Sequence, residues 1–132
     1  MKMFRILDVG QCGFDGPRMA EIWERELGAT VDQADNGDIA LAMAKKSRYD
    51  IILVNRILAA DRSSGLEVIR QYMRTKPTCP ILLVSDIQDA QERAVAIGAA
   101  RGFGKSELAD PATIELIKNL VGHGSVEKKK TR

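Results

Sequence analysis

The sequence predicts a single α/β domain in which a parallel β-sheet is covered by helices on both faces. Two observations support this prediction. Apolar runs rich in β-branched residues alternate with stretches whose apolar residues recur at helical spacing. The connections between them are short, as expected when each helix carries the chain from one parallel strand to the next. A chain of 132 residues is long enough to bury one such core.

Apolar periodicity and turn residues define the first two strands and helices. Met3–Val9 is apolar with β-branched members and predicts the first strand. A glycine-rich loop follows, and Pro17 suits the first turn of a helix that Gly28 ends. Ala29–Ala34 predicts a short second strand. Asp38–Lys46 carries its apolar residues on one face and therefore predicts the second helix.

The remainder of the chain continues the same alternation. Ile51–Val54 and Ile81–Ser85 are continuous apolar runs, which predict strands that are buried on both faces. Gly65–Arg74, between them, has helical spacing. The last predicted elements are a helix over Asp89–Ile97 closed by Gly98, a short strand over Arg101–Gly104, and a helix that starts at Pro111, runs through Leu120 and ends at Gly122.

Composition argues against several classes of protein. A net charge of +2 is too small to indicate a nucleic-acid-binding protein. The sequence has no apolar stretch of membrane-spanning length and no signal peptide, so we expect a cytoplasmic protein. Cys12 and Cys79 match no metal or disulfide spacing and are expected to be reduced. We predict one domain over residues 1–122 and a basic, disordered tail over residues 123–132.

Six short patterns occur in a characteristic order along the chain. They are Glu26-Leu27-Gly28, Ala34-Asp35-Asn36-Gly37, Tyr49-Asp50-Ile51-Ile52-Leu53-Val54, Gly65-Leu66-Glu67-Val68-Ile69-Arg70, Pro80-Ile81-Leu82-Leu83-Val84-Ser85 and Gly98-Ala99. Together, over roughly residues 4–121, they resemble the receiver domain of bacterial two-component response regulators. The resemblance implies a flavodoxin-like (βα)5 three-layer sandwich with a five-stranded parallel sheet in the order 2-1-3-4-5.

The resemblance also shows which acidic positions this sequence has lost. In the family, two acidic residues that end the first strand hold Mg²⁺, and an aspartate at the end of the third strand accepts the phosphoryl group. The acidic pair falls here on Gly10 and Gln11, or on Gln11 and Cys12 if the register shifts by one. The phosphoacceptor position holds Asn55, whose amide cannot form an acyl phosphate. Because Mg²⁺ prefers carboxylate oxygens, we expect neither a metal nor a cofactor.

The phosphate-binding side of the family's site is partly retained. Ser85 matches the hydroxyl residue that ends the fourth strand, and Lys105 matches the lysine that ends the fifth. An unpaired buried lysine would be costly, which suggests that Asp86 or Asp8 pairs with Lys105. A solvated lysine is the alternative. The aromatic residue of the family's output switch would fall near Gly102, with Phe103 one step later.

These departures suggest a pseudo-receiver, that is, a non-enzymatic signalling or adaptor domain that works without phosphorylation. Its partner would be a kinase, an output domain or a second copy of itself, and we expect no contact with a membrane or nucleic acid. The partner surface would lie around the last two strands and the last helix, and would include Ile87, Gln88, Arg93, Arg101, Phe103 and Ala112–Leu120. Two alternatives stay open. One is a conventional Mg²⁺-dependent phosphoacceptor that uses a displaced acid such as Asp8. The other is a redox or small-ligand sensor, for which Cys12 is a candidate thiol.

Overall fold

The fold consists of five strands that alternate with five helices. The computed structural model describes residues 4–130, with side chains described as far as Val121. The strands are β1 (Arg5–Val9), β2 (Thr30–Ala34), β3 (Ile51–Asn55), β4 (Ile81–Val84) and β5 (Ala100–Phe103). The helices are α1 (Asp15–Leu27), α2 (Gly37–Lys46), α3 (Gly65–Met73), α4 (Gln88–Ile97) and α5 (Pro111–Lys130), with a short 3₁₀ helix at Lys105–Glu107 before the last.

All the strand pairs are parallel, and the sheet order is β2-β1-β3-β4-β5. This order confirms the predicted flavodoxin-like fold. The central strand β3 pairs with β1 on one side and β4 on the other, so Val9, Asn55 and Val84 come together at one edge of the sheet. We call this the carboxyl edge. In open α/β sheets it is the edge where ligands and chemistry are placed.

Each face of the sheet has its own apolar layer. On one face, side chains such as Leu7, Ile52 and Val54 pack with residues of α2, α3 and α4. On the other, side chains such as Ile6 and Leu53 pack with residues of α1 and α5. Because strand side chains alternate between faces, β1 and β3 supply both layers, which explains their continuous apolar runs.

The structure differs from the sequence prediction chiefly at the ends of helices. Helix α1 begins at Asp15 rather than Pro17, and the 3₁₀ helix at Lys105–Glu107 was not predicted. Helix α5 continues past Gly122, the predicted end, as far as Lys130. A glycine costs a helix only about 1 kcal/mol relative to alanine, so Gly122 does not have to end one. The division into a domain of residues 1–122 and a tail stays a prediction.

Among the described residues, none of the helices is both long and apolar enough to span a bilayer.

Candidate functional site

Asn55 ends β3 at the carboxyl edge, and its side chain acts as a double hydrogen-bond donor. Nδ2 donates to the carbonyl oxygen of Gly10 at 3.1 Å and to that of Ile57 at 2.9 Å. An aspartate in this position would set a carboxylate oxygen against a carbonyl oxygen instead. The local structure therefore uses the amide itself, tying the end of β3 to the loop after β1.

The space beside residue 10 is filled by an apolar side chain. Gly10 has φ +80°, and a Cβ atom there would lie 2.3 Å from Cγ of the fully buried Leu58. The loop after β3 turns back on itself through an antiparallel bridge between Ile57 and Ser64, which brings Leu58 inward. An acidic side chain at position 10 would need both a strained backbone and a displaced Leu58. Sequence reasoning missed Leu58, although the Ile57-Leu58 pair, separated from Asn55 by Arg56 alone, was a signal that the loop turns inward.

Asp8 lies under this edge rather than in it. Its side chain is fully buried on the face of the sheet covered by α1 and α5, next to Gln33 of β2 and Leu53 of β3. Gln11 Nε2 donates to Asp8 Oδ1 at 3.0 Å. Burial raises the pKa of Asp8 to about 7, while the Gln11 hydrogen bond, the neighbouring Gln33 amide and the Lys105 charge act in the opposite direction. Ionisation of this carboxyl is therefore disfavoured by desolvation.

The ion-pair partner of Lys105 is Asp15. Lys105 Nζ lies 2.8 Å from Asp15 Oδ2, with the two side chains 34% and 19% exposed. This hydrogen bond lowers the pKa of Asp15. The expectation that Asp8 or Asp86 forms the pair was wrong, because α1 begins early enough to bring Asp15 in its first turn to the carboxyl edge. Lys105 affects Asp8 only through its positive charge, which lowers the pKa of Asp8. The sulfur of Cys12 accepts a hydrogen bond from the Asp15 backbone N–H at 3.3 Å, which helps to fix this turn.

Asp86 and Ser85 both accept hydrogen bonds from groups within the protein. Asp86 accepts hydrogen bonds from Ser106, through Oγ at 2.5 Å and through the backbone N–H at 3.4 Å. Ser85 Oγ accepts one from the backbone N–H of Ile87 at 3.1 Å, at the start of α4. Asn55, Ser85, Asp86 and Lys105 nevertheless line one open cleft of about 350 Å³, which also includes Arg56, Ile57, Val84 and Ile87. The structure thus brings the predicted β3, β4 and β5 positions together, while Asp8 lies beneath them.

A buried glutamine fastens α4 to the last two strands. Gln91 Nε2 donates to the carbonyl oxygens of Leu83 at 2.9 Å and Ser85 at 3.0 Å, and Gln91 Oε1 accepts from the Gly102 N–H at 2.9 Å. The register between β4 and β5 shifts at this level, and the side chain supplies hydrogen bonds where the ladder is irregular. Sequence reasoning missed this contact. Its one signal was a glutamine between Ala90 and Ala94 on the buried face of α4.

The family's output-switch position has no aromatic side chain here. The sequence comparison places it near Gly102, where a Cβ atom would lie 2.0 Å from the carbonyl oxygen of Leu83. Phe103 is buried and stands edge-on to Trp23, with ring centroids 5.7 Å apart. Its predicted place on an exposed partner surface was therefore wrong, because alternation along β5 turns Phe103 into the layer beneath α1 and α5.

The residues at the acidic positions do not fit a magnesium ion. Gly10 has no side chain that could bind a metal, and Gln11 donates a hydrogen bond to Asp8. Asn55 directs its donor nitrogen toward two backbone carbonyl oxygens. Of the acids nearby, Asp8 is fully buried in a setting that favours its neutral form, Asp15 is paired with Lys105, and Asp86 accepts hydrogen bonds from Ser106. Mg²⁺ prefers several ionised, accessible carboxylate ligands, and Gly10, Gln11, Asn55 and Asp8 supply none of them.

Comparison with known proteins gives the family. The sequence model of the response regulator receiver domain matches residues 17–110, more than half of the chain. The chain belongs to this family. The matched segment includes β3 with Asn55 and β4 with Ser85.

One curated relative and two solved structures are similar to this receiver domain. The transcriptional regulatory protein ResD of Bacillus subtilis (strain 168) is 37% identical over 67 residues, which cover 51% of this chain and 27% of ResD. NtrX from Brucella abortus matches 98% of this chain with a TM-score of 0.85 and 20% identity, over 29% of the NtrX chain. A CheY-like receiver domain protein from Methanospirillum hungatei JF-1 matches 96% of this chain and 99% of its own, with a TM-score of 0.78 and 20% identity.

The chain thus spans less than a third of ResD and of NtrX. At 20% identity the two structural matches establish the fold alone. What they share with this receiver domain is the five-stranded parallel sheet and its helices.

Proposed function

We propose that this receiver domain signals without being phosphorylated, as a pseudo-receiver of a two-component system that acts by binding a protein partner. The observation that carries the proposal is the pair of hydrogen bonds that Asn55 donates to the carbonyl oxygens of Gly10 and Ile57. Phosphoryl transfer to a receiver needs a nucleophilic carboxylate at this place and a cation beside it. Here the position holds a donor that is already committed to the backbone.

The electrostatics of the cleft support the same proposal. In a phosphorylated site, a lysine such as Lys105 would bind a phosphoryl oxygen, but here it is 2.8 Å from the Asp15 carboxylate. That carboxylate provides within the chain the negative charge that a phosphoryl group would otherwise bring. The hydroxyl oxygen of Ser85 likewise already accepts a hydrogen bond from the backbone N–H of Ile87. These contacts favour a single arrangement of the cleft that requires no modification.

The partner surface we propose comprises α4, β5 and the exposed side of α5. Two large apolar side chains of this surface are exposed, Ile87 by 46% and Val95 by 43%. Gln91 fixes α4 to β4 and β5, so these side chains are presented in one geometry. Arg93 and Arg101 are exposed on the same surface, which suits an acidic rim on the partner. A kinase, an output domain or a second copy of the chain could supply such a rim.

A phosphodonor assay tests the proposal. The intact protein is incubated with acetyl phosphate and Mg²⁺, and its mass is then measured by mass spectrometry. A conventional receiver domain treated in the same way is the positive control. We expect no mass increase under conditions that label the control. A Mg²⁺-dependent phosphoryl adduct would overturn the proposal, and mapping it to Asp8 would establish the conventional alternative with a displaced acid.

That alternative has less support, because the carboxyl of Asp8 is closed off from solvent and its neutral form is favoured. For the redox alternative, the sulfur of Cys12 is already a hydrogen-bond acceptor within the first turn of α1. We therefore propose a structural role for Cys12 and a binding rather than catalytic role for the domain.

A further inference from the structure

Asp8 and Gln11 form a buried pair in which one hydrogen bond is made and a second is missing. Gln11 Nε2 donates to Asp8 Oδ1 at 3.0 Å. The two remaining polar atoms of the pair, Asp8 Oδ2 and Gln11 Oε1, are both buried and find no hydrogen-bond partner among the residues that the structure describes. If Asp8 is ionised, both of these atoms are acceptors. Each then loses its hydrogen bonds to water on folding without gaining one from the protein.

A single proton held between these two oxygens would satisfy both of them. We propose that Asp8 is a neutral carboxylic acid whose Oδ2–H donates to Gln11 Oε1, closing a ring of two hydrogen bonds with the amide. A carboxylic acid and a primary amide are complementary in this way, since each offers one donor and one acceptor. The pairing leaves no orphaned oxygen on either side chain and explains how an aspartate is accommodated in an apolar layer.

The groups that face Asp8 come from four parts of the chain. They are Gln11 in the loop after β1, Gln33 on β2, Asp15 on α1 and Lys105 in the 3₁₀ helix. Burial, the largest effect, raises the pKa of Asp8 to about 7, and the Asp15 charge acts in the same direction. Gln11, Gln33 and Lys105 lower it. The Gln33 amide lies close enough to lower the pKa of Asp8, but its hydrogen bond goes to the carbonyl oxygen of Gly16, at 3.2 Å, and leaves Asp8 Oδ2 without a partner.

Loss of the proton has a consequence beyond the pair. When Asp8 gives its proton to water, the bond from Oδ2 to Gln11 Oε1 disappears. Two carboxylates, Asp8 and Asp15, then face the single ammonium group of Lys105. The pair therefore makes the loop after β1 and the Asp15–Lys105 ion pair sensitive to pH near neutrality. This proton-linked element is independent of the proposed function, which does not require a titrating group.

NMR of the wild-type chain tests the inference directly. The Asp8 carboxyl carbon, the Gln11 side-chain amide and the Asp15 carboxyl carbon are followed from pH 4 to pH 9. We expect Asp8 and Gln11 to shift together with one midpoint near pH 7, the value that burial imposes on Asp8, and Asp15 to show a smaller step at the same midpoint. An Asp8 midpoint close to its ordinary value of 3.8 would overturn the inference. So would a step near neutrality that leaves the Gln11 amide unmoved.

Two variants sharpen the test. In Asp8→Asn the amide mimics the neutral acid, because its nitrogen can donate to Gln11 Oε1, so the neutral-pH step of Gln11 should vanish. Asp35→Asn makes the same chemical change at an exposed residue after β2 and should leave that step intact. A Gln11 step that survives in Asp8→Asn would assign the titration to another group and overturn the inference.

Discussion

The ammonium nitrogen of Lys105 lies 2.8 Å from the carboxylate of Asp15, and the two residues are 90 positions apart in the chain. The contact joins the first turn of α1 to the 3₁₀ helix after β5. It gives the lysine a fixed anion inside the protein. Together with the amide of Asn55, this contact supports the proposal that the domain signals without phosphorylation.

Breaking this ion pair should destabilise the domain modestly. Because both side chains are partly exposed, we expect Lys105→Met and Asp15→Asn each to cost about 1 kcal/mol in unfolding free energy, measured in urea. Their combination should cost less than the sum. Asp15 has a lowered pKa, so the stabilisation is present above the ordinary aspartate range and is lost as pH falls below it.

The control for the ion pair is Arg93→Met, which breaks the more exposed contact of Arg93 with Asp89 on α4. That change should have almost no effect. If Lys105→Met proved as mild as Arg93→Met, the 2.8 Å contact would contribute nothing to stability and the charge-balance argument would fail.

Replacing Asn55 with aspartate should weaken the protein rather than restore a phosphorylation site. The change removes two hydrogen bonds to carbonyl oxygens and sets a carboxylate against them, which we expect to cost about 2 kcal/mol or more. Asn36→Asp is the matched control, because the Asn36 side chain accepts a hydrogen bond from the Ile39 N–H, and aspartate caps a helix equally well. Equal stability of the two variants by urea unfolding would contradict the assigned orientation of the Asn55 amide.

Loss of the Gln91 side-chain bonds should loosen α4 from the sheet. Gln91→Leu leaves the carbonyl oxygens of Leu83 and Ser85 and the N–H of Gly102 unpaired, at a cost of about 3 kcal/mol or more. Hydrogen exchange at the Gly102 amide should become much faster. Gln88→Leu, on the exposed side of the same helix, should leave that exchange rate unchanged. An unchanged exchange rate of the Gly102 amide in Gln91→Leu would show that β4 and β5 stay paired without the glutamine side chain.

Asp8→Asn should stabilise the domain at high pH. Burial raises the folded-state pKa of Asp8 from 3.8 to about 7, so its contribution to stability is fully present below 3.8 and is lost as pH rises through 7. The variant avoids this loss. It should match the wild type near pH 4 and exceed it above pH 7, by up to about 4 kcal/mol at 1.36 kcal/mol per pKa unit. Parallel stability curves for the two proteins, measured in urea across this range, would contradict the raised pKa.

The fold could be predicted from sequence because β3 and β4 are buried on both faces and leave continuous apolar runs between helical segments. The same logic placed Asn55, Ser85 and Lys105 at one edge, since the ends of parallel strands meet there. The partner of Lys105 could not be predicted in this way, because it depends on where α1 begins. The inward position of Leu58 depends on the shape of a loop whose composition does not specify it.

Side-chain roles were harder to predict than positions. Gln91 carries no charge and lies among alanines, so nothing in its local sequence reveals three hydrogen bonds to the sheet. Phe103 was assigned to the partner surface because that surface was expected around the last two strands, whereas alternation along β5 buries it against Trp23. Both cases depend on tertiary packing, which short patterns do not encode.

The most direct test of phosphorylation independence is an amide NMR titration of the intact protein with Mg²⁺ and then with beryllofluoride, which mimics an aspartyl phosphate. We expect no saturable shifts at Asn55, Ser85 or Lys105 at either step, since residue 55 is an amide rather than a carboxylate and Lys105 is already paired with Asp15. Saturable, Mg²⁺-dependent shifts at these residues would contradict it and would mean that this receiver domain still has a working phosphorylation site.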